Sequence, residues 1–108
     1  MSIEEFVAGL KEERDALLAS YTDGGTSNRV AEQLTAAELT EGQRRKVAGA
    51  LDATLTDAFY TVLLVLDGAS SLNGTQQAYQ IADEHGNVVS SGDGKLEALA
   101  FKYFQTEG

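Results

Sequence analysis

From Ala58 to Leu66 the chain reads Ala-Phe-Tyr-Thr-Val-Leu-Leu-Val-Leu. A surface helix carries an apolar stripe opposite a polar face, and this stretch has almost no polar face. Whatever it forms must be covered on both sides, by the rest of the domain or by a second molecule. The spacing of Val47, Leu51, Leu55, Ala58, Val62 and Leu66 runs into it without a breaker, which predicts one long helix. Thr40-Glu41-Gly42-Gln43 is a capping box that opens it, and Asp67-Gly68 stops it. Unbroken, such a helix is about 39 Å long. The β-branched and aromatic content of Tyr60-Thr61-Val62 also permits a strand, but the continuous spacing favours helix.

The flanking segments are shorter. Ser2-Ile3-Glu4-Glu5 is a second capping box, and the apolar spacing after it predicts a helix from about Ser2 to Ser20. Thr22–Asn28 is rich in turn formers and predicts a loop, followed by a short helix over Arg29–Leu34 capped by Ser27 or Asn28. Thr75–Asp83 and Val88–Ser91 predict a β-hairpin closed by Glu84-His85-Gly86-Asn87, and Lys95–Phe104 predicts a last helix. A lone hairpin is marginal in water, so it must lie against the helices. The expected fold is α+β: N-terminal helices including one long central helix, then a hairpin and a C-terminal helix. No alternating βαβ units are present, which argues against a parallel nucleotide-binding sheet.

Composition narrows the class. The 108 residues suffice for a single domain, 1–108, with its own core, and a hydrophobic content of 43% argues against disorder. Without cysteine there are no disulfides, thiolate metal sites or cysteine nucleophiles, which suits a reducing cytosol. Glu4 and Glu5 stand where a signal peptide carries basic residues, and no apolar run approaches the roughly 20 residues that span a bilayer. A soluble cytoplasmic protein is expected, so the glycosylation-like Asn73-Gly74-Thr75 carries no weight. Net charge is −9; residues 1–46 hold 9 acidic and 6 basic side chains, and residues 47–108 hold 8 and 2. Such a surface disfavours nucleic acid and anionic membrane. It is either solubilising charge or a docking face for a basic protein.

Catalytic motifs fail one by one. His85, the only histidine, falls in the predicted turn. A histidine metal site lacks partners, and no cofactor or metal is expected. Gly92-Asp93-Gly94-Lys95 lacks the residues of a phosphate loop, with Val89 and Leu96 at the wrong places, and Asp93 is expected to cap the last helix. Asp83, His85 and Asn87 alternate like calcium ligands, but Val88 stands where that loop needs glycine. Asp57, beside Thr56 and Tyr60, would need a hydrogen-bond partner if buried; a ligand site around Asp57 and Tyr60 is the enzyme-like alternative. Asp52 is the other carboxylate of interest. Arg44-Arg45-Lys46 oppose the helix dipole, so pairing with Glu12, Glu13 or Asp15 is expected, or else recruitment of an acidic ligand.

Leu55–Tyr60, Leu66-Asp67-Gly68, Gln76-Gln77-Ala78-Tyr79 and Asp83–Asn87 together resemble small bacterial proteins of the immunity type that accompany secreted toxins. The resemblance covers the second half of the chain and brings no functional residue with it. It implies a non-enzymatic, cytoplasmic protein that binds a basic partner. Gln76, Gln77, Tyr79, Asp83, Glu84 and Asp93 are then the candidate contact residues. The alternative is a homodimer that uses one side of Phe59–Leu66, with Leu63 at its centre.

Overall fold

The computed structural model describes residues 1–23 and 27–106, so residues 24–26 of the predicted Thr22–Asn28 loop lie outside the described residues. Helix α1 spans Ile3–Thr22, α2 Arg29–Ala36, α3 Glu41–Leu66 and α4 Lys95–Ala100. Strands β1 (Ile81–Ala82) and β2 (Val88–Ser90) form an antiparallel pair, and α4 runs on into a π-helical turn at Phe101–Gln105. The fold is α+β and mostly helical.

Both capping boxes form. Ser2 Oγ accepts from the Glu5 amide at 3.0 Å while the Glu5 carboxylate accepts from the Ser2 amide at 2.7 Å. Thr40 and Gln43 repeat the exchange at 3.2 and 2.9 Å. Asn28 caps α2 by accepting from the Ala31 amide. These donors would otherwise be orphaned at the first turns.

The predicted strand Thr75–Asp83 is corrected to two residues. Its first half is spent on closing α3: the Tyr79 amide donates to Leu66 O at 3.0 Å, and Gln76 Nε2 donates to Gly68 O at 2.9 Å. An amide spent on the last carbonyl of a helix is not free for a ladder. Upstream, Asn73 (φ 53°) and Gly74 (φ 76°) make a tight turn between Leu72 and Thr75. Asn-Gly is the preferred pair for such a turn.

Ala78 is wedged between two turns. Its backbone lies 3.1 Å from where a Cβ on Gly68 would stand, and its Cβ lies 2.3 Å from where one on Gly92 would stand. Both glycines have positive φ, which L side chains rarely adopt. The predicted cap of α4 is corrected as well. Of the first-turn amides Asp93 accepts from that of Lys95 alone, at 3.1 Å. The buried Asp67, at the end of α3, instead accepts from the Gly94 and Glu97 amides at 3.3 and 2.8 Å. One helix therefore supplies the cap of another, 30 residues on.

The core sits at one end of the molecule. Val7, Leu63, Leu96, Ala100 and Phe104 are the buried apolar side chains, and the rings of Phe59 and Phe104 stack at 6.0 Å. Glu4 accepts from Lys102 Nζ at 3.0 Å and from Tyr103 OH at 2.9 Å, tying α1 to the π-turn. At the opposite end, α2 contributes no buried side chain. The result is elongated, 46 × 30 × 27 Å, with a radius of gyration of 16.4 Å, against about 13 Å for a compact chain of this length.

Candidate interaction surface

The six candidate contact residues divide into two groups. Asp83 organises the hairpin turn, accepting from the His85 and Asn87 amides at 2.9 Å each and from Asn87 Nδ2 at 3.1 Å. The Asn87 contacts, backbone first, hold its carboxyl below the usual aspartate range. Gln76 closes α3, and Asp93 is taken by the Lys95 amide and, at 3.8 Å, its ammonium. Glu84, Gln77 and Tyr79 remain. Glu84 is exposed at the turn with His85 at 3.5 Å, while Gln77 Nε2 donates to Tyr79 OH at 3.2 Å. The structure thus leaves two polar pairs, Gln77–Tyr79 and Glu84–His85, and half of the candidates hold the fold.

The carboxylates of α3 also separate. Asp57 is exposed, so the condition under which it would need a hydrogen-bond partner is not met. Its neighbour Thr56 instead takes part in a clamp with the buried Arg14 of α1. The Arg14 guanidinium donates to Thr56 Oγ1 at 3.2 Å, to Asp52 O at 3.1 Å, to the Asp52 carboxylate, and to Asp15 at 2.6 Å. Burial raises the Asp15 carboxyl, yet hydrogen bonds from Arg14 and Lys11 outweigh it and leave the pKa lowered. Arg14 was not legible as a site residue: its partner Asp52 lies 38 positions away on another helix. Its only signal was a charged residue on the apolar-spaced face of α1.

With Asp15 so engaged, the predicted pairing of Arg44-Arg45-Lys46 with α1 is also corrected. Arg45 meets Glu41 one turn back, at 3.9 Å between exposed side chains. Among the described residues no ion pair joins Arg44 or Lys46. The basic end of α3 flanks an open groove of about 730 Å³ between α1, α2 and α3, whose apolar walls include Tyr21, Leu34, Leu39 and Val47. None of these four is fully buried.

The largest uncovered feature is α3 itself. Leu63 is its single buried side chain among 26 residues, which places that leucine in the monomer core and not at the centre of an interface. Val47–Leu66 carries only Asp52 and Asp57 as charges, and Asp52 turns toward Arg14. Taking 100° per residue, Lys46, Ala50, Ala53, Thr54, Asp57, Ala58 and Thr61 lie roughly 80–220° around α3 from Leu63, outside the sector that the buried leucine occupies. All seven are exposed, and the adjoining Val62 is 57% exposed. The expectation that no segment reaches the length of a bilayer is corrected here: α3 is long and apolar enough to cross one, by length and composition.

Among the described residues no group of three or more His, Asp or Glu side chains is placed to hold a metal ion. Comparison of the chain with protein-family models, curated proteins and solved structures finds no match.

Proposed function

We propose that this chain is a small, non-catalytic protein-binding module of the immunity type in general plan, working as one subunit of an assembly. The observation that carries the reading is the outward side of α3. Helices facing solvent are polar on that side, whereas this one bears only Lys46 and Asp57 as charges among alanines, threonines and the exposed Val62. Contiguous apolar surface rimmed by polar residues marks sites of association. The exposed position of His85, 76% accessible on a turn, supports a role without proton-transfer chemistry, which needs an enclosed, oriented base.

An apolar-surface dye tests this. The expected result is strong fluorescence from the chain at high dilution, lost once another protein covers the helix. A folded monomer that leaves the dye dark overturns the reading.

The acidic second half supports a second reading, docking onto a basic partner beside the hairpin. Glu84 is 85% accessible and extends from the turn. Because Asp83 holds that turn together, the informative variant is Glu84→Lys alone. Against a basic partner it slows association several-fold at low salt, since exposed charges steer encounter. Unchanged association rates remove the hairpin side from the interface.

A further inference from the structure

Resting on the apolar-helix reading, we propose that the partner is a second copy of this chain, laid antiparallel along the outward side of α3 about a two-fold axis at the level of residues 51 and 52. The stripe formed by Lys46, Ala50, Ala53 and Asp57 is self-complementary about that point. Reversing the helix brings Lys46 opposite Asp57 of the other copy, Ala50 opposite Ala53, and each relation occurs twice, as a two-fold interface requires. Lys46 and Asp57 are both exposed, and neither has an ion-pair partner within the described chain. The alanines between them let two backbones approach to about 8 Å, the short end of helix-packing distances.

The size of the uncovered surface fits the same occupant. The chain exposes 7123 Å², whereas a folded monomer of 11.5 kDa exposes about 5,800 Å². The surplus of about 1,300 Å² is spread over the elongated chain, the groove between α2 and α3 included, and leaves room for an interface of standard size, about 800 Å² per partner.

Lipid is the rival occupant, and the neighbouring helix opposes it. The Arg14–Asp52 clamp fixes α1 against the middle of α3, so Lys11, Glu12, Glu13, Arg14 and Asp15 would enter the hydrocarbon with it, each at high cost. The net charge of −9 further disfavours an anionic headgroup layer.

The test is sedimentation velocity of the full chain from submicromolar to high micromolar concentration, with exchange of the two charges. The expected species is a dimer of about 23 kDa, twice the chain mass. Lys46→Glu and Asp57→Lys each weaken it by about a hundredfold, because the axis creates two like-charge contacts at once. The double variant, with the charges exchanged, recovers to within about threefold of the original. Circular dichroism of each variant confirms that these exposed substitutions leave the fold intact. A dimer whose double variant does not recover overturns the antiparallel register. A monomer that lights the apolar dye removes the second copy while the protein-binding reading stands; a dark monomer removes both. A monomer that co-sediments with phosphatidylcholine vesicles assigns the helix face to lipid and overturns the proposal.

Discussion

Replacing Gly92 by alanine lowers the stability of the fold by about 3 kcal/mol, the largest effect expected from adding a single carbon. Two costs add. At φ 77° an L residue is strained whatever space surrounds it, and the new Cβ would stand 2.3 Å from the Cβ of Ala78. Neither atom is the free end of a flexible side chain, so backbone must move. Gly74 is the control, since its φ of 76° is nearly the same but nothing lies within 4 Å of a Cβ there. Gly74→Ala therefore costs only the conformational part, about 1 kcal/mol. Thermal unfolding of the two variants measures the difference, with Tm falling by roughly 10–20 °C for Gly92→Ala. Equal losses at the two positions would mean that Ala78 is not held against the second turn.

Asp67→Ala is the other large effect, with an expected loss of about 2–3 kcal/mol. The buried carboxylate satisfies the amides of Gly94 and Glu97 at the start of α4, and Gly94 as N-cap residue has no side chain to take over. Truncation leaves both donors without their acceptor and releases the first turn of the helix that carries Leu96 and Ala100 into the core. Asp67→Asn keeps one acceptor oxygen and recovers part of the loss. Denaturant unfolding orders the three proteins as Asp, then Asn, then Ala; an Asp93→Ala variant that exceeds Asp67→Ala would return the cap to the position expected from sequence.

These two sites show where the sequence was legible and where it was not. The capping boxes at Ser2 and Thr40 are local: donor and acceptor are three residues apart, so spacing alone announces them. The long helix followed from the same kind of regularity, from Val47 through Leu66. Asp67, Arg14 and Ala78 act across 27 or more residues, or between two turns, and no spacing rule reaches that far. The strand expected at Thr75–Asp83 is shortened because the Tyr79 amide and the Gln76 side chain are spent on the backbone that ends α3. The Asn73-Gly74 pair carries the signature of the tight turn it forms between Leu72 and Thr75. On the surface, three of six polar candidates turned out to hold turns and helix ends, because short polar side chains beside glycine-rich loops bond their own backbone.

The confinement of the buried apolar side chains to one end sets how the molecule opens. Amides around Leu63, Leu96 and Phe104 are released only when the whole fold is lost, whereas α2, with no buried side chain of its own, can lift away for far less free energy. A protease meeting the isolated subunit would therefore cut first near residues 29–36, and a bound neighbour that seals the groove between α2 and α3 would shield that site. Resistance to cleavage at α2 would then report occupancy of that groove, independently of what covers the outward side of α3.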